Sequence, residues 1–223
     1  MVSQGGIAEN SGFYQIRHDP EWVSRRQDLN RRAEGVMPIA RRMARFIGTF
    51  PFVRAVFVSG SLSKYCMAPD GDIDFFIVTS PGRLWLSRTL MVLFKKLFLF
   101  NSHKYFCINY FVDTDHLEIH EKNLYTATET LTLVPMYGRE WCEKFVQTNT
   151  WAKAWLPHFP GRALYSVPVS APGLLKKMAE KMFSGRLGEW LDVKAMETTM
   201  AYRRRKFRHI KSQIFDSAFS SGR

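Results

Sequence analysis

The stretch Ser59–Thr79, SGSLSKYCMAPDGDIDFFIVT, decides how the chain is read. It opens on a small Gly-Ser turn and closes on a run of strand-forming residues, and Asp72 and Asp74 interrupt the start of that run. Side chains alternate faces along a strand, so both carboxylates are expected on one side, with Ile73 and Phe75 packing on the other. Like charges held this close repel, and burying them without a partner is costly. A hard divalent cation compensates them well, because Mg²⁺ takes oxygen ligands and combines one or two carboxylates with phosphate oxygens.

The residues just upstream fit the other half of such a site. Gly60 lets a phosphate approach the backbone, and nearby N–H groups and the Ser61 hydroxyl can cradle it. A helical turn starting in LSKYC would add a favourable dipole, and Lys64 would add charge beside the same phosphates. Ser63 reads equally as a phosphate contact and as an ordinary turn residue. Together these residues suit phosphoryl or nucleotidyl transfer, where positioning and charge neutralisation supply most of the catalysis.

Working outward, VRAVFVSG (53–60) is a short β-branched and aromatic run, hence a strand, and DIDFFIVT (72–79) is a second. Before them, a helix is expected from Trp22 to about Gly48. It carries Val36, Ala40, Met43 and Ile47 on one face and Arg41, Arg42 and Arg45 on the other. Residues 84–100 form a helix apolar nearly all round, with Leu86, Leu90, Leu93 and Leu97 along one face, and a buried position is expected for it. YFCINYFV (105–112) is a third strand. HLEIH (116–120) reads as a fourth strand or an edge extension, which takes precedence over a helical His116/His120 metal pair. Beyond Asn123 the segments all read as helices, divided by a Pro-rich link from Pro157 to Pro172.

The pattern apolar-Gly-Ser, ten residues, then Asp-apolar-Asp-apolar is carried by Val58, Gly60–Ser61 and Asp72–Ile73–Asp74–Phe75. It resembles the signature of the DNA polymerase β-like nucleotidyltransferase superfamily, over roughly residues 22–120. The resemblance implies an α+β fold: a small mixed-sheet nucleotidyltransferase core flanked by helices, followed by an all-helical C-terminal domain. The corresponding boundaries are a tail at 1–21, the core at 22–120, the helical domain at 121–216 and a tail at 217–223. It also implies that Asp72 and Asp74 bind Mg²⁺, with Mn²⁺ as an alternative, and are the catalytic residues. Gly60 and Ser61, with Ser63 and Lys64, would bind the nucleotide. The expected reaction transfers an NMP from an NTP, ATP first among them, to an acceptor that is a small molecule, a protein or a nucleic acid, with release of pyrophosphate.

Members of that superfamily usually add a third carboxylate on the next strand. Here FCINYFVD has Asn109 instead, which could ligate metal through its carbonyl oxygen, while Asp113 or Glu118 could stand in for the missing acid. The alternative is a catalytically weak or inactive module of the same fold that binds nucleotide or nucleic acid.

Composition narrows the rest. The 223 residues carry a formal net charge of +12, and the excess is greatest in residues 121–223, which hold 17 Lys and Arg against nine Asp and Glu. Such an excess favours polyanions, including nucleic acid. YRRRKFRH (202–209) is its densest cluster, readable as a nucleic-acid surface or as the basic last turns of a helix. Trp141, Trp151, Trp155 and Trp190 sit at helical spacing and are expected in the core. Cys66, Cys107 and Cys142 lack a CxxC pair, which argues against a disulfide framework. No signal-peptide pattern opens the sequence, and the most apolar window, 84–100, holds Arg88, Lys95 and Lys96, too charged for a membrane span. A cytoplasmic location is the expectation.

Overall fold

A 28-residue helix, α1 (Pro20–Ile47), leads into the sheet. Asp19 caps it by accepting from Glu21 N at 2.9 Å, and Pro20 occupies the first turn, where its missing N–H costs nothing. Its buried stripe runs through Ala33, Met37, Ala40, Ala44 and Ile47. Val36 and Met43 flank that stripe, half-buried. Pro38 lies inside the helix on its exposed side, where solvent can satisfy the freed carbonyl. The computed structural model describes residues 7–206 apart from 17–18, 100–103, 163, 165–166 and 170–171. Phe207 to His209 of the basic cluster therefore lie outside the described residues. A hairpin of β1 (Ala8–Asn10) and β2 (Phe13–Gln15) precedes α1, turning at Ser11 and Gly12, both with positive φ.

Next come β3 (Val53–Val58), a four-residue turn of helix α2 (Gly60–Ser63), β4 (Asp74–Thr79), α3 (Leu84–Phe98) and β5 (Cys107–Asp113). They are followed by α4 (Leu124–Thr132), β6 (Val134–Tyr137), α5 (Arg139–Thr148), a 3₁₀ turn at Thr150–Ala154, α6 (Leu174–Met182) and α7 (Arg186–Lys206). The main sheet has the order β5-β4-β3-β6. β4 and β5 are parallel, and β3 runs antiparallel to both its neighbours, so the sheet is mixed. β4 reads FFIV because both its faces are covered. Phe75 and Ile77 join α1, Met91 of α3 and Phe106 in one core layer, while Phe76 and Val78 join Phe57, Cys142 and Phe145 of α5 in the other.

Four expectations change. The C-terminal half is not all helical: LTLVPMY ends α4 at Thr132 and continues as β6, paired with β3. Pro135 accounts for this, since the residue before proline leaves the α region and proline is tolerated on an edge strand. HLEIH forms no strand; Leu117 O and Ile119 N are instead tied to the Asn149 side chain. The buried residues of α3 are Leu84, Leu86, Ser87, Met91 and Lys95, so of the expected face Leu86 is buried while Leu93 and Leu97, with Phe98, face outward. Trp155 and Trp190 are likewise exposed, whereas Trp141 packs against the α5 core.

The late helices are stitched to the sheet by buried charges. Lys176 of α6 donates to Gly48 O and Val53 O at 2.8 and 2.7 Å, and burial pulls its amine down to about 8. Glu180 accepts from Phe52 N and from Arg54. Asp192 of α7 accepts from Leu86 N, supplying the first turn of α3 with the cap its own sequence lacks. Arg83, at the start of α3 where its sequence neighbours suggest a solvated helix face, is buried instead and donates to Phe183 O and Ser184 O at 3.0 and 2.8 Å. Arg83→Met keeps the stem but strands both carbonyls, so it should cost about 2 kcal/mol, read as a lower denaturant midpoint with unchanged slope. A midpoint equal to wild type would show that the clamp carries no stability. Among the described residues no helix is long and apolar enough to cross a membrane.

Candidate metal and nucleotide site

The site lies where β3 ends and β4 begins. Ser59 N donates to Asp74 O at 2.9 Å, which joins the two strand ends. Gly60 follows with φ +64, and a Cβ there would overlap Asp74 Oδ2. Only glycine allows both that backbone and that approach, so the Gly-Ser turn is pressed directly against the carboxylate.

Asp72 precedes the strand and Asp74 is its first residue, yet they converge as the sequence predicts. One ligand atom each from Asp72, Asp74 and Cys107 lie within 4.8 Å of one another, all half-buried. Burial raises the Asp74 carboxyl above its ordinary value; the Cys107 thiol opposes this, Asp72 and Glu129 add to it, and Lys64 opposes it. Burial and the neighbouring carboxylates push the Cys107 thiol up to about 12, so it stays neutral and serves Asp74 as a donor. The two carboxylates, half-buried and mutually unfavourable when ionised, are the groups that could hold a divalent cation here, with the neutral thiol beside them.

Residues 60–64 are arranged differently from the phosphate cradle expected. Ser61 is exposed, and its carbonyl accepts from Lys64 N and Cys66 N. Ser63 is fully buried and its hydroxyl donates to Gly60 O at 2.8 Å, so it builds the turn and faces no ligand. α2 has only four residues, too few aligned peptides for a strong dipole. Lys64 Nζ reaches back to Gly60 O at 3.0 Å and pairs with Glu129 Oε1 at 2.9 Å. Arg26 and Arg162 clamp the same turn through Lys64 O and Ser63 O. The Ser59 hydroxyl is buried without a hydrogen-bond partner.

The third position belongs to Cys107, which sits opposite Asp74 in the parallel register. Asn109, the expected ligand, is exposed in a bulge between Ile108 and Tyr110, the partners of Phe75 and Phe76. Neither proposed substitute reaches. Asp113 pairs with Thr79, five residues along the strand and roughly 16 Å from Asp74. Its carboxylate accepts from Asp115 N and His116 N and meets His116 Nδ1 at 2.8 Å. Glu118 is half-buried and pairs with Lys122 at 2.6 Å. Two residues at the site escaped the sequence reading. Aligning the starts of the two parallel strands would have found Cys107, but Glu129 arrives on α4 with no local signal. No family model matches the chain, and neither a curated protein nor a solved structure matches it.

Proposed function

We propose that this protein is a metal-dependent nucleotidyltransferase, moving an NMP from an NTP, with ATP the first to try, to an acceptor hydroxyl or phosphate. One observation carries the proposal: Gly60 and the half-buried Asp72–Asp74 pair meet at one point, so a phosphate at the turn and a cation at the carboxylates would be neighbours. The chain order of α1, β3, β4, α3 and β5 supports the reading, because it is the core order that the resemblance implies. Asp72 and Asp74 would hold Mg²⁺ or Mn²⁺, with Cys107 beside them. When bound, the cation neutralises triphosphate charge and polarises the reacting phosphate.

The chain's own groups do the rest. Gly60 admits the phosphates close to the backbone, and the exposed Ser61 hydroxyl can donate to them. Lys64 is held beside them by Glu129, so its charge is fixed in place and shared. The basic residues of the C-terminal half suit an anionic acceptor, nucleic acid included, while a small molecule or a protein remains compatible.

Cys107 in place of a third acid favours a second reading, in which the site binds nucleotide with little or no turnover. The test is pyrophosphate release from each NTP with Mg²⁺ or Mn²⁺, by wild type and by Asp72→Asn of unchanged circular dichroism. Release that needs the metal and is lost in the variant supports transfer. Nucleotide binding without release supports the second reading, and neither binding nor release overturns both.

A further inference from the structure

Helix α6 is amphipathic the wrong way round. Its charged residues Lys176 and Glu180 point inward, held by Gly48 O, Val53 O, Phe52 N and Arg54. Its large apolar residues point outward: Leu174, Leu175, Met178 and Met182 are 73%, 84%, 60% and 61% exposed. Half-buried Phe46 and Phe50 of the α1 end line a groove beside Leu174 and Leu175, so the apolar surface continues off the helix. Water is a poor neighbour for such a row, and contiguous apolar patches on a surface mark interaction sites.

The charges around the row identify the occupant. Lys177 and Lys181 are exposed at its margins, and Arg45 is exposed on the adjoining end of α1. The one acid of α6, Glu180, is turned inward onto Arg54, so the outward face carries cations and no anion. We infer that α6 lies flat on an anionic lipid bilayer, with Leu175 and Met178 in the acyl boundary and the lysines at the headgroups. Leucine and methionine tips that protrude, flanked by snorkelling lysines, match an interfacial helix. The buried anchors of α6 hold the start of β3, while Gly60 follows its other end. The lipid surface and the candidate site are therefore separated by the length of that strand, roughly 20 Å.

The experiment is flotation of the full chain with vesicles of phosphatidylcholine containing phosphatidylglycerol, beside vesicles of phosphatidylcholine alone. Wild type should float with the anionic vesicles at low salt, lose part of that binding as salt rises, and bind the neutral ones at least tenfold more weakly. Leu175→Ser with Met178→Ser, both outward and so harmless to folding, should lower the partition at least tenfold. Lys177→Glu with Lys181→Glu should abolish the preference for anionic lipid. Absence of wild-type flotation, equal flotation of the Ser variant, or equal binding to both vesicle types overturns the inference. So does a concentration-dependent dimer, or capture of an acidic amphipathic peptide, that is lost in the Ser variant while lipid binding is unchanged. None of these outcomes depends on nucleotide turnover.

Discussion

Asp74→Asn is expected to lower metal-dependent NMP transfer by about 10³-fold or more while raising the melting temperature of the metal-free protein. The loss follows from removing a charged ligand whose cation must neutralise phosphate, equivalent to about 4 kcal/mol or more of transition-state stabilisation. The gain follows from proton linkage. Burial first, then Asp72 and Glu129, raise the Asp74 carboxyl above its ordinary 3.8, against the Cys107 thiol and Lys64. The folded state thus binds more protons than the unfolded state between 3.8 and the raised value, so stability falls as pH climbs through that window. Asn carries no such penalty. Melting curves in chelator should therefore coincide at acid pH and separate by a few degrees at neutral pH, with the variant higher. Saturating Mg²⁺ should reverse that order, because only wild type gains binding energy. A variant that melts lower than wild type in chelator at neutral pH, or that keeps wild-type pyrophosphate release, would exclude Asp74 as a strained metal ligand.

That a single residue can both destabilise and serve the fold is legible in the sequence, since DGDIDFF places charge where a buried strand should begin. Helix α1 and strands β3 and β4 are legible for the same reason: their periodicity or β-branched runs are local. What the sequence hides is set by distant partners. Counting by twos along β5 puts Cys107, Asn109 and Asp113 on one face, but only the register, with Cys107 opposite Asp74 and Asn109 set out in the bulge, shows that the cysteine is the one beside the aspartates. Arg83 looks like a solvated arginine until the turn between α6 and α7 brings its carbonyls onto it. Lys64 reads as a free cation because Glu129 is 65 residues away. The buried side of α3 cannot be read from a helix apolar all round; the placement of α7 decides it.

Cys107→Asp tests whether the absence of a third acid limits the proposed transfer. Cys107 stands opposite Asp74 on the neighbouring parallel strand, its thiol neutral and donating to the carboxylates. An aspartate there would reverse that interaction. Without metal, a third negative charge would join Asp72 and Asp74 in a half-buried cluster, and the melting temperature should fall below wild type, most at neutral pH and least at acid pH where the cluster is protonated. With Mg²⁺, the same charge becomes an oxygen ligand in place of a thiol that this hard ion takes poorly. Mg²⁺ affinity should rise by about 10²-fold, and the thermal shift on adding Mg²⁺ should exceed that of wild type. If the missing acid limits catalysis, pyrophosphate release rises with it, since the carboxylate can also accept the acceptor's proton. Cys107→Ser separates the two causes: it removes the thiol without adding charge and should leave Mg²⁺ affinity near wild type. Were Asp and Ser to behave alike in affinity, thermal shift and release, position 107 would lie outside the metal's reach and the site would rest on Asp72 and Asp74 alone.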